Sequence, residues 1–298
     1  TKKIGMLALA ARTGNAAAFL LFGTLLQCFQ KWPNAWRFVF VVSAVLQIIP
    51  LTLLNSFSKD LDDKNCIVPR DLNESIVSSD NYMRKSTIQE VLQKEVQRAD
   101  FWLQLISRSA LMVFGSFLLF VPTYMTHCYS MSSDNASRVG SLFAVGCMLS
   151  LSMGSSIYSS LPVSQRISAI TALLSLSALC SVAQLIHVAE IITFPPSLGA
   201  IMMMLWGFSF SIPFYVPPAL FSLSRGGRES SATIADFFDV FGFGILSFFN
   251  GYVASIRHDI LTNWVFVFKL LSCCAITSLA ALPTAIWIGR KNNPAESS

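Results

Sequence analysis

Residues 101–127 read FWLQLISRSALMVFGSFLLFVPTYMTH, twenty-seven positions in which Arg108 is the single Lys, Arg, Asp or Glu. As an α-helix this run is about 40 Å long at 1.5 Å per residue, enough to cross a hydrocarbon core of about 30 Å with some tilt. Seven more runs of similar character lie at 4–27, 36–55, 138–160, 166–190, 195–223, 231–256 and 262–289. Composition agrees: of 298 residues, 53% are hydrophobic and 12% charged, about half the charge of an ordinary soluble domain. The expected fold is an all-α polytopic membrane protein with eight transmembrane helices, which excludes a soluble enzyme. Despite a net charge of +5, the 21 Lys and Arg are scattered between the apolar runs, an arrangement that argues against nucleic acid as a partner. The seven cysteines have no CxxC or Cys/His ligand spacing and mostly sit inside apolar runs, where they read as small packing residues.

An even number of spans puts both termini on one side, and the basic residues indicate which. Fourteen Lys and Arg fall on the termini's side against four in the opposite loops, and seven against four without the 56–100 loop. By the positive-inside rule both termini are expected in the cytosol. The 56–100 stretch holds nine of the sixteen acids and seven basic residues, and reads as a cytosolic linker between two membrane bundles. Within it, Ser86 and Thr87 precede Gln89 and Glu90 in a capping-box pattern, and Ile88, Val91, Leu92 and Val96 fall on one helical face. That pattern fits an amphipathic helix on the inner membrane surface and fits equally a plain helical extension of the third span.

Two stretches repeat. Residues 19–45 read FLLFGTLLQCFQKWPNAWRFVFVVSAV, and residues 239–273 read DVFGFGILSFFNGYVASIRHDILTNWVFVFKLLSC. In each, a mid-helix Phe-Gly (Phe22-Gly23; Phe243-Gly244) is followed by a short loop and then Trp-x-Phe-Val-Phe, at 36–40 and 264–268. Parallel repeats joined by a long cytosolic loop are how major facilitator transporters are built. On these residues the chain resembles the major facilitator superfamily. AWRFVF at 35–40 looks like the Trp-Arg motif opening that family's sixth helix, and 56–100 looks like its central loop.

The resemblance implies that 1–55 are the last two helices of an N-terminal bundle, 101–291 a C-terminal six-helix bundle and 292–298 a cytosolic tail. It implies, too, that helices one to four of the same protein are missing, which a first residue of Thr fits. Where the family carries Gly-x-x-x-Asp-Arg between helices eight and nine, this chain has Gly154, Tyr158 and, further on, Arg166. FVPTYM at 120–125 and RGGRESSATIADFFDVFGFG at 225–244 are similar to the organophosphate and sugar-phosphate antiporter branch. A phosphate-binding Arg would be expected about eight residues before Pro122, where this chain has Phe114.

Charges inside spans cost about 2.5–3.5 kcal/mol each on insertion scales, so Arg12, Arg108, Asp236, Asp239 and Lys269 each require a reason. Arg108 and Asp239 enter their spans from the same side to similar depth and are expected to pair. Asp236 and Asp239 share a helix face and read as a carboxylate pair sharing a proton; a static Arg–Asp clamp is the alternative. Arg12 is expected to face the missing half or the cavity between the halves. The sixth run holds Pro195, Pro196, Pro213, Pro217 and Pro218 with Gly199 and Gly207, and broken helices in transporters line the central site. Trp206, Tyr215 and Asn250 are accordingly expected on the pathway, Trp206 alternatively in bundle packing.

His127, His187 and His258 lack metal-site spacing, and no Gly-rich phosphate loop, Ser/His/Asp set or HExxH occurs. The functional expectation is secondary active transport of a small polar or anionic solute by alternating access, neither an enzyme nor cofactor-dependent, its partners being the solute and the lipid bilayer. A non-transporting sensor or scaffold with the same fold is the alternative. Cysteines introduced into the 56–100 loop and the C-terminal tail should react with an impermeant maleimide from the same side of the membrane, and labelling from opposite sides would overturn the eight-span topology.

Overall fold

The computed structural model describes residues 93–255 and 260–292 together with scattered positions between 9 and 52. Two compact units divide the chain: Thr1–Gly23 with Glu90–Ser298, and Thr24–Gln89. In the second unit the described residues are helical around 24–25 and 41–46, and the rings of Phe29 and Phe38 meet edge to face at 5.1 Å. Most of the expected first two runs and the linker through residue 92 lie outside the described residues.

The larger unit is built of helices α1 (Ala99–Ser116), α2 (Val121–Tyr129), α3 (Ser133–Ser160), α4 (Val163–Val188), α5 (Pro196–Ser255) and α6 (Ile260–Asn292). No strand occurs among the described residues. Among the described residues six stretches are long and apolar enough to cross a membrane: Ala99–Tyr129, Ser133–Tyr158, Ser164–Val188, Pro196–Arg225, Ser230–Ser255 and Trp264–Lys291. With exposed faces carrying residues such as Leu179, Phe248 and Trp287, the chain is a multi-pass membrane protein.

Two of these spans have local structure worth deriving. The first is one span in two helices, α1 and α2, joined by a 3-10 turn at Phe117–Phe120. Pro122 explains the break, since it has no N–H for the Leu118 carbonyl and its ring crowds that turn. Helix α5 is helical from end to end yet doubles back. The Phe221 and Phe238 rings are 5.9 Å apart, whereas seventeen residues of straight helix would separate them by about 26 Å. The chain therefore reverses between Phe221 and Phe238, and α5 is a hairpin of two arms.

Before α1, residues 93–96 form a helical turn that ends at Gln97, and Arg98 is extended (φ −99°, ψ 138°). The Trp102 indole N–H donates to the Val96 carbonyl at 2.7 Å across this corner. These four residues and α1 are thus separate helical pieces, while 86–92 lie outside the described residues.

Lipid tails are as apolar as leucine, so helices in a bilayer associate through close packing and interhelical hydrogen bonds. Both occur here. A Cβ at Gly146 of α3 would collide with the Met204 carbonyl of α5, and one at Gly207 of α5 with the Phe143 carbonyl of α3. The two backbones touch at this reciprocal glycine pair. Polar ties join other helices. Ser177 and Ser209 hydroxyls lie 2.7 Å apart, the Ser272 hydroxyl donates to Ser181 at 3.3 Å, and the Tyr124 and Tyr129 hydroxyls both donate to Gln184 Oε1 at 2.7 and 2.8 Å. The core between them is aromatic: Phe114, Phe117, Phe143, Trp206, Phe210, Trp264 and Phe268 are all essentially buried.

Backbone cannot yield as a flexible side chain can, so Gly207→Ala should lower the thermal midpoint in detergent by the equivalent of about 1–3 kcal/mol. Gly244→Ala, where nothing lies within 4 Å, should leave it unchanged or slightly raised, and equal effects would refute the close contact.

Candidate functional site

Asp100, Gln104 and Arg108 recur every four residues and form one polar stripe along α1. Arg108 is the tenth residue of α1, and Asp239 the tenth of the second arm of α5 counted from Ser230, so both lie roughly 13 Å from the same end. Arg108 Nε and Nη2 donate to Asp239 Oδ1 at 3.0 and 2.9 Å. Its Nη1 donates to the Phe214 carbonyl on the first arm at 2.8 Å, and the guanidinium carbon sits 4.0 Å from the Phe214 ring centroid. The reason that carbonyl accepts from outside its own helix lies four residues on. Position 218 is proline, which has no N–H, so the usual i+4 donor to Phe214 is missing. Arg108 supplies it, while its charge is met by Asp239 and by the face of the ring.

Burial of this pair is uneven. The Arg108 side chain is 15% exposed and that of Asp239 39%, so the carboxylate stays open on one side. Asp236 is exposed, and among the described residues Arg108 pairs with Asp239 and not with Asp236. Removing a partner from a fully buried pair typically costs about 3–5 kcal/mol, and the exposure of Asp239 lowers that cost here.

A second cluster lies at the end of the same stripe. Asp100, fully buried, accepts from Arg98 Nε and Nη2 at 3.0 and 3.1 Å and from Arg225 Nη2 at 2.8 Å. Glu95 stands 3.7 Å from Arg98 Nε and 3.9 Å from Arg225 Nε, ion-pair distances too long for hydrogen bonds. The Asp100 carboxylate holds the Arg98 guanidinium above its ordinary pKa. Sequence reasoning counted Arg98 and Arg225 only as cytosolic charges and passed over Glu95 and Asp100. The signal was there in QKEVQRAD at 93–100, where both signs crowd the start of a span.

The remaining expected residues are dispersed. Trp206 is fully buried, stacked on Phe117 at 5.3 Å and against Phe114 at 4.4 Å. Tyr215 is half-buried with its ring edge-on to Phe214 at 4.7 Å. Asn250 is half-buried on the second arm with its Oδ1 lacking a hydrogen-bond partner. Lys269 is exposed on α6, and Arg12 lies outside the described residues. Arg166 stands 5.7 Å from the Tyr158 ring and donates from Nε to the Leu161 carbonyl at 2.8 Å. Among the described residues no group of three His, Cys, Asp or Glu is arranged to hold a metal ion. In comparison with known proteins, no family model and no curated protein matches the chain.

If Arg108 serves the carbonyl that Pro218 leaves without a donor, Pro218→Ala should relieve part of that need. Arg108→Met should cost less thermal stability in the Pro218→Ala background than alone, a coupling of about 0.5–3 kcal/mol. Strictly additive effects would mean that the two are independent.

Proposed function

We propose that the chain is part of a secondary active transporter of major facilitator type, moving a small polar or anionic solute by alternating access. On this reading the segments before the linker belong to the opposite bundle, completing eight spans with both termini cytosolic. The observation that carries it is the Arg108–Asp239 pair, deep in two spans and open on the carboxylate side. The Phe214 carbonyl accounts structurally for Arg108 but not for a carboxylate left more than a third exposed, whereas a transporter needs a charge that meets solute, ion or proton in one state and its partner in the other. Asp236, one turn away and exposed, is suited to exchange with Asp239 during that change.

The organophosphate branch of the reading is weaker in physical terms. Phe114, at the position expected for a phosphate-binding Arg, is fully buried against Trp206 and brings no charge. A sensor or scaffold draws its support from the completeness of Arg108's contacts, since an arginine meeting a carboxylate, a carbonyl and a ring also makes a good clamp.

Flux and expression separate the two. In vesicles carrying the natural full-length protein and offered a panel of labelled small organic anions and polar solutes, Asp239→Asn should depress uptake at least tenfold while surface expression changes little. A charge swap, Arg108→Asp with Asp239→Arg, should restore expression without restoring flux. Wild-type uptake in both Asp236→Asn and Asp239→Asn would end the transport role of the cluster, and loss of expression first would favour the clamp.

A further inference from the structure

A cavity of about 390 Å³ opens at the end of the bundle where α3, α4, the first arm of α5 and α6 meet near the start of α1. That volume falls within the range of about 300–1,000 Å³ common for small-molecule sites. Three of its walls carry guanidinium groups, from Arg166, Arg225 and Arg290, and among the described residues no carboxylate lines it. Tyr158 and Ser224 add hydroxyls, and Gln104 lines the inner wall. Gln104 is 2% exposed, and its Oε1 has no hydrogen-bond partner. A buried acceptor left without a donor is unfavourable by about 1–3 kcal/mol, so this atom asks for a ligand that donates. Three guanidinium groups around one cavity favour a ligand that is anionic.

We propose that this cavity binds a phosphate group that carries a neighbouring hydroxyl, the arginines taking the phosphate oxygens and Gln104 Oε1 accepting from the hydroxyl. Arginine suits phosphate because its planar fork donates two parallel hydrogen bonds. Arg225 reaches Asp100 through Nη2, which fixes the orientation of its guanidinium at the cavity wall. Arg290, exposed at the end of α6, and Arg166, the fourth residue of α4, bring charge from two other helices. A bound phosphate would therefore tie together the ends of α4, α5 and α6. The site is one helical turn along the α1 stripe from Arg108 and does not depend on the transport reading. The phosphate has two sources, the headgroup of an anionic membrane lipid or a soluble phosphate.

The test uses the whole chain in phosphatidylcholine nanodiscs, with either phosphatidylglycerol in the bilayer or inorganic phosphate in the buffer. Lipid retained is read by native mass spectrometry, phosphate by direct binding, and both by the shift in thermal midpoint. One probe should bind and raise the midpoint, and Arg166→Gln with Arg290→Gln should weaken that binding about tenfold or more. Because Arg166→Gln also removes the bond to the Leu161 carbonyl, each variant is read by the difference in its midpoint with and without probe. Arg138→Gln, near the far end of α3 from the cavity, should bind as the wild type does. Should the double variant fail to fold, Arg290→Gln alone, at an exposed position, should weaken binding several-fold. Retention of phosphatidylglycerol alone identifies a lipid site, and response to inorganic phosphate alone a soluble ligand. Binding of neither probe, or binding unaffected by the arginine substitutions, would overturn the proposal.

Discussion

The hydrogen bond from Arg108 to the Phe214 carbonyl is where the constraints on this bundle meet. In a bilayer each backbone polar group must find a partner inside the protein, and Pro218 removes the partner that Phe214 would have had in its own helix. An arginine entering from α1 meets that need, but it brings a charge that is costly to bury. Asp239 answers the charge, and it reaches Arg108 because α5 doubles back between Phe221 and Phe238 and lays its second arm beside the first. Proline, arginine, aspartate and hairpin are thus one linked solution, and each member makes sense only with the other three.

Depth distinguishes the two charge clusters. Near the end of α1, Glu95, Arg98, Asp100 and Arg225 balance one another in charge, and Asp100 has no exposed surface. Such an arrangement suits anchoring, because every ion is held by elements that must all move for it to open. A turn or two deeper, Asp239 uses a single carboxylate oxygen toward Arg108 and keeps more than a third of its side chain exposed. That asymmetry, more than the presence of a charge pair, is what makes the deeper site the candidate for function.

Elsewhere the bundle holds together by means suited to lipid. Reciprocal glycines let α3 and α5 meet backbone to backbone, and a ladder of serines, tyrosines and Gln184 ties α1–α2, α4, α5 and α6 across the apolar interior. Stacked aromatics around Trp206 fill the remaining space. The second arm of α5 contributes least to this core, and Val240, Phe243, Ile245 and Phe248 all lie exposed along it.

Composition and run length by themselves determined that this is a helical membrane protein, because twenty or more apolar residues in succession have few other uses. They also marked Arg108 and Asp239, since a charge in such a run stands out against its neighbours and equal depth from one side suggests a pair. Which aspartate takes the arginine was beyond them: Asp236 and Asp239 share a face, and only the pitch of the hairpin brings the latter within 3 Å. Trp206 was equally ambiguous, as an indole in a proline-rich span suits a pathway or a core alike, and only the structure shows it buried against Phe114 and Phe117. The link between Pro218 and Arg108 through the Phe214 carbonyl had no trace in one dimension. A proline announces a carbonyl without a donor, but 110 positions separate the two residues, and the arginine that answers is named only when the helices are laid side by side.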